Sequence, residues 1–222
     1  MVKASSSRPL PTVPKLWPGS TVVCIGTGPS LTQADVDFCR GRARVIAVND
    51  AFRVAPWAEV MYACDAKFWY WHWHKGARDF AGLKFSIDPA AKRYRGVTVL
   101  RKTGDTGLER DPSGLRAGRN SGYQAINLAV HLGAVRIVLL GYDMRGDGKG
   151  DHFFGAHPDS SKPPFPVCLQ RFATLVDPLR AAAVEVINCT RRTALTVFPC
   201  RPLESVWSAP VIAPAPAEAL PC

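Results

Sequence analysis

The turn Gly26-Thr27-Gly28-Pro29-Ser30-Leu31 follows an apolar run directly and precedes the amphipathic stretch Thr32 to Cys39. Glycines let a backbone come close to a ligand, and unpaired N–H groups at a helix start favour phosphate, so this junction is a candidate nucleotide-binding turn. Its Pro-Ser pair departs from GxGxxG, which argues against ordinary NAD binding. The same residues also suit a plain strand-to-helix turn with Ser30 as the cap. Three further places carry matching chemistry. Asn49-Asp50 ends the run VIAVND, and the Asn49 amide can donate to and accept from a sugar or base; Asp65 ends VMYACD, and its carboxylate can hold a hydroxyl or a divalent ion. Asn120-Ser121-Gly122 opens a helical pattern and can both cap it and present N–H groups to an anion. Gly141-Tyr142-Asp143 closes a strand and leads into a long loop, where Asp143 has the same uses as Asp65. Asn and Asp are also common turn formers, so each has a structural reading as well.

The loop GDGKGDHFFGAHPDSSKPPFP carries His152 and His157 beside Phe153 and Phe154. Long irregular loops in compact domains are usually functional or disordered, and imidazole titrates near neutral pH, so either histidine is a candidate general base. The alternative is a loop pinned by its aromatics. His131 lies within a buried helical pattern and reads as structural. In Phe68-Trp69-Tyr70-Trp71-His72-Trp73-His74, some aromatics should stay near solvent beside Lys67, Lys75 and Arg78, available to stack on a base or sugar. The His72-x-His74 spacing is too short for a metal pair on one helix face.

These residues need a scaffold that gathers strand ends. Thr21 to Ile25, Val45 to Val48, Val60 to Ala63, Ile137 to Leu140 and Val184 to Ile187 are short apolar runs suited to strands buried on both faces. Ser121 to Leu132 reads as a buried helix ending at Gly133, and Val167 to Ala183 as a helix kinked or split at Pro178. The alternation implies an α/β Rossmann-like sandwich with a mostly parallel sheet, whose ligands bind at the carboxyl ends of the strands. Residues 21–207 form the expected single α/β nucleotide-binding catalytic domain, between a flexible N-terminal segment, 1–20, and an Ala/Pro-rich tail, 208–222.

Across 222 residues, 47% hydrophobic content excludes wholesale disorder, and no apolar run reaches the ~18 residues of a membrane span, so a cytoplasmic protein is expected. Seven scattered cysteines without a CxxC pair read as small core hydrophobes. Charge is uneven. Residues 1–119 hold 19 basic and 10 acidic side chains, a net +9, whereas residues 120–222 are nearly balanced. Such asymmetry favours a polyanionic partner, although it also serves solubility. Its densest part is Lys92, Arg93, Arg95, Arg101, Lys102, Arg110, Arg116 and Arg119, with Gly and Pro between them pointing to mobile loops able to follow a phosphate backbone.

Taken in order, GTGPSL, the strand ending in Asn49, Asp65, NSGYQAINLAVHLGAVRIVLLGYD and HFFGAH resemble two related families over about residues 21–200. One is the bacterial lipooligosaccharide sialyltransferases, and the other is the MptE-like 6-hydroxymethylpterin diphosphokinase and motility-accessory group; uncharacterised phage-encoded proteins share a similar GYDM and HFFG loop. The sialyltransferase resemblance implies nucleotide-sugar donor contacts for Gly26, Gly28, Pro29, Ser30, Asn49, Ser121 and Gly122. It also implies a loop histidine as base, matched by His157 with His152 as the alternative, and no metal or other cofactor. Cys64-Asp65 stands where sialyltransferases carry Asn-Pro. That Asp resembles the diphosphokinase group, which implies magnesium held by Asp65 and Asp143. The full donor-site expectation adds Thr27, Asp65, Asn120, Tyr142 and Asp143. The expected activity is glycosyl transfer from a nucleotide sugar to an acceptor hydroxyl, the acceptor being DNA with a modified base or another polyanion. The alternatives are a magnesium-dependent diphosphokinase and a non-catalytic nucleic-acid-binding protein.

Overall fold

The structure, a computed structural model, describes residues 9–146, 153–154 and 164–207. Its strands are β1 (Ser20–Ile25), β2 (Arg44–Val48), β3 (Val60–Tyr62), β4 (Leu83–Ser86), β5 (Val97–Val99), β6 (Arg101–Gly104), β7 (Gly114–Arg116), β8 (Ala134–Leu140) and β9 (Glu185–Asn188). Its α-helices are α1 (Gln33–Cys39), α2 (Ala66–His72), α3 (Ser121–Leu132), α4 (Phe165–Ala173) and α5 (Val176–Ala181). Seven strands form one parallel sheet in the order β5-β4-β3-β2-β1-β8-β9. The fold is therefore an α/β sandwich with a parallel sheet.

Alternate residues of β1 serve opposite layers. Val22 and Cys24 pack with α3, α4 and α5, while Val23 and Ile25 pack with α1 and α2. Strands covered on both faces need apolar residues at every position, which is why their runs do not alternate. Burial pushes the thiols of Cys24, Cys39 and Cys189 up to about 12, which keeps them neutral and unreactive. No helix among the described residues is long and apolar enough to cross a membrane.

Helix α3 covers the expected residues because both ends are fixed locally. The Asn120 side chain accepts from the Gly122 and Tyr123 N–H groups, and Gly133 takes the left-handed conformation at φ 107°. Several boundaries differ from expectation. Thr32, not Ser30, caps α1, accepting from the Asp35 N–H at 3.2 Å. The helix expected over 167–183 breaks at Thr174–Leu175, and Pro178 sits in the first turn of α5, where a missing N–H costs nothing. The N-terminal segment is packed from Val13 onward: Val13 and Trp17 are buried, and their N–H groups donate to the carbonyls of Pro112 and Leu132. Residues 1–8 and the expected tail, 208–222, lie outside the described residues.

The basic stretch 92–119 is ordered, in place of the mobile loops expected there. It forms β5 and a two-stranded sheet of β6 and β7, and three of its cations are paired: Arg101 with Asp111, Lys102 with Asp105 and Arg116 with Glu109. The aromatic run also packs. Phe68 and Trp69 are in the core, His72 stacks on Phe68 and Trp73 lies against Tyr94; of the seven, Tyr70 and His74 are exposed. Ring packing on the sheet outweighs solvent display.

Candidate functional site

Strand order reverses between β1 and β8, because the chain proceeds outward from β1 to β5 on one side and from β8 to β9 on the other. A crevice opens at such a reversal, at the carboxyl ends of the strands. The register brings three ends level, with Ile25 opposite both Ala47 of β2 and Leu140 of β8. The loops leaving these ends and the start of α3 line a cleft of about 90 Å³. Gly26, Thr27, Gly28, Asn49, Asn120, Ser121, Gly122, Tyr142 and Asp143 are all in its lining, joined by Val48, Gly141, Met144 and Phe165. Of the expected site residues, the structure thus gathers nine from four separate segments.

The glycines serve a purpose the sequence did not reveal. A Cβ on Gly26 would lie 2.7 Å from the Gly141 carbonyl oxygen, and one on Gly28 would lie 2.0 Å from Asp143 Oδ1. Gly141 itself has φ 66° and faces Gly26. The clearance is filled by the neighbouring loop, so these glycines are required for two loops to interlock. The N–H groups expected to cradle phosphate are likewise engaged. Gly26 donates to Leu140 O, Gly28 to Gly141 O, Ser30 to Asp143 Oδ2 and Leu31 to Gly28 O. These four N–H groups are therefore committed within the protein. The N-terminal end of α3 also faces the cleft through Ser121 and Gly122; Asn120 takes the Gly122 and Tyr123 N–H groups there, so what α3 offers an anion is its dipole.

Asp143 is buried, and burial raises its carboxyl above the ordinary range despite the bond from Ser30. Its Oδ2 takes the Ser30 N–H at 2.9 Å, while Oδ1 has no hydrogen-bond partner among the described residues. The Tyr142 hydroxyl donates to Gly122 O at 3.2 Å, so this ring is a wall of the cleft with its polar end committed. Pro29 and Ser30 belong to the turn but not to the lining; Ser30 Oγ accepts from the Arg192 N–H at 3.2 Å.

Asp65 does not join the cleft. It is exposed at the head of α2, where Asp88 takes the Ala66 N–H instead. Asp65 and Asp143 therefore do not line one site as the expected magnesium pair, and no group of three His, Cys, Asp or Glu side chains among the described residues is arranged to hold a metal. His152 and His157 lie outside the described residues. Two neighbours of His152 in sequence are placed: the Phe153 N–H donates to Thr27 O at 2.7 Å, and Arg53 lies over the Phe154 ring at 4.6 Å. His131 is structural as expected, with Nε2 3.0 Å from Gly114 O and a pKa lowered by burial.

Left-handed backbone in non-glycine residues is sterically costly and gathers at functional sites. Asn49 (φ 51°) and Met144 (φ 51°) line the cleft, and Arg119 (φ 56°) immediately precedes its Asn120. Sequence reasoning missed Met144 and Phe165, which carry no chemical signature of their own.

The sequence matches no protein-family profile and no curated protein. Among solved structures, it is similar to the MAf glycosyltransferase from Magnetospirillum magneticum AMB-1, with a TM-score of 0.61 and 16% identity. The match covers 88% of this chain and 35% of that one, so the chain spans about a third of that protein's length. At such identity the likeness is one of fold: the chain is built on the same α/β architecture as part of that glycosyltransferase.

Proposed function

We propose that the chain is a glycosyltransferase that takes a nucleotide sugar in the cleft between β1 and β8. The observation that carries this reading is the convergence at the strand reversal of Asn49, the start of α3 and the two interlocked glycine loops. The similarity in fold to a glycosyltransferase supports the same class. The donor phosphates lie toward Ser121 and Gly122, where the α3 dipole favours negative charge, and the Asn49 amide meets the sugar or base. His157, with His152 as the alternative, removes the proton from the acceptor hydroxyl. That oxygen bonds to the anomeric carbon as the bond from this carbon to phosphate oxygen breaks, and the nucleotide leaves with the electron pair.

The test is a melting-temperature screen with sugar nucleotides and with ATP plus magnesium, followed by donor turnover with and without EDTA. A sugar nucleotide at a hundredfold excess over its Kd raises the melting temperature by about 5–10 °C, because it binds only the native state. Turnover continues in EDTA. Stabilisation by ATP plus magnesium alone, or turnover that EDTA abolishes and magnesium restores, would replace this reading with the diphosphokinase.

A further inference from the structure

A larger concavity, about 840 Å³, lies at the opposite edge of the sheet, where β1 and β2 begin and the chain enters β3. Arg40, Arg42, Arg44, Arg136, Trp57 and Trp207 line it. Two of these cations are neutralised. Arg136 is buried against Glu185 at 2.7 Å, and Arg44 lies 3.2 Å from Glu59. The other two have no carboxylate partner among the described residues. Arg42 is fixed over the Phe38 ring at 4.4 Å and donates from Nη1 to Phe38 O at 2.7 Å. Arg40 is exposed and lies over the Trp57 ring at 5.7 Å. Trp207 is held by its indole N–H on Arg42 O at 3.3 Å and by its edge-to-face contact with Phe38.

Two uncompensated guanidiniums in set positions present forked donors that match phosphate oxygens. Half-buried indoles beside them offer a face on which a base can stack. The volume lies in the range of small-molecule sites. We infer that this groove binds a nucleotide by its phosphate and its base together, taken either free or as a unit of a single-stranded nucleic acid. Because the groove and the cleft open at opposite edges, an occupant here leaves the cleft accessible. The inference does not depend on the glycosyltransferase reading.

The experiment follows the anisotropy of a labelled dT12 oligonucleotide bound to the full chain at 50 mM salt. AMP and ribose 5-phosphate are competitors, and the variants are Arg40→Glu, Trp57→Leu and the double variant Arg93→Glu/Arg95→Glu. Arg40→Glu, at an exposed position, weakens binding at least tenfold, and the double variant changes it less than threefold. With two or three phosphates engaged, the parent loses roughly 7- to 20-fold in affinity between 50 and 200 mM salt. Displacement by AMP but not by ribose 5-phosphate identifies a free nucleotide as the occupant. Displacement by neither, with weakened binding by a folded Trp57→Leu protein, identifies a strand. Asn49→Gly, which alters the cleft and not the groove, leaves dT12 binding unchanged, which separates this site from the cleft. The inference is overturned if the parent binds neither probe, if only the double variant loses affinity, or if ribose 5-phosphate competes as well as AMP.

Discussion

The two edges of the sheet are built from opposite materials. At the carboxyl edge the cleft is made of backbone, glycines and short polar side chains, and its loops satisfy one another through hydrogen bonds from Gly26, Gly28 and Ser30. At the amino edge the groove is made of guanidiniums and indoles on strand starts and turns, with Arg136 buried and Arg40 exposed. In the first region, shape and stability share the same atoms. In the second they are separable. Substitutions in the cleft should therefore change folding and binding together, whereas substitutions at exposed groove positions should change binding alone.

The largest expected effect falls on neither wall but on the candidate base. Replacing the base, His157 or His152, by Ala lowers turnover by ~100- to 10,000-fold with the melting temperature unchanged. Full turnover by both single variants would remove the histidine from the mechanism. Next comes Gly28→Val. Its side chain must displace Asp143, so overpacking costs about 1–3 kcal/mol in urea unfolding, and Arg40→Glu costs almost nothing. A Gly28→Val protein as stable as the parent would dissolve the contrast between the two edges.

A smaller effect separates backbone from side chain at Asn49. Asn49→Ala puts a Cβ-bearing residue without a local polar group at φ 51° and costs about 1 kcal/mol, whereas Asn49→Gly keeps the backbone at ease. Both lose donor affinity by isothermal titration if the amide contacts the ligand. Equal affinity for Asn49→Gly and the parent would leave Asn49 a turn former. The smallest effect concerns His131. Burial holds its pKa below 6.5 in the folded chain, so the unfolded chain takes up the proton first. Stability is then full above pH 6.5 and declines as pH falls through the lowered folded value. Denaturation of His131→Gln between pH 5 and 7 should lack this component; an identical slope would assign it to another group.

The scaffold was readable where local signals were complete. Asn120 and Gly133 mark both ends of α3, and five of the seven main-sheet strands appear as β-branched apolar runs. The strands β4 and β5 escaped notice because Lys84 interrupts β4 and Thr98 stands at the centre of β5. Lys84 is tolerated because its ammonium donates to Phe80 O while its stem is buried. The site was legible as a set of residues but not as an arrangement. A glycine that makes room for a ligand and one that makes room for another loop look alike in sequence, and the partner of Gly28 lies more than a hundred positions away at Asp143. The amino-edge groove was hidden for the same reason, since Trp57 and Trp207 come to line one groove only in the folded chain.

The loop after β9 has a consequence for the order in which the molecule is made. Arg191 grips Asp35 of α1 through two hydrogen bonds at 2.8 and 2.7 Å, Thr190 Oγ1 accepts from the Tyr142 N–H, and the Ala194 N–H donates to Asp143 O. The loop after β9 thus braces both halves of the cleft. Chains emerge from the ribosome N-terminus first and fold as they lengthen. A nascent chain exposed only to about residue 185 can pair β1 with β2 and β8, yet it holds the glycine loops without their brace. The cleft takes its final form only after β9 and the loop behind it have emerged and locked together parts translated long before.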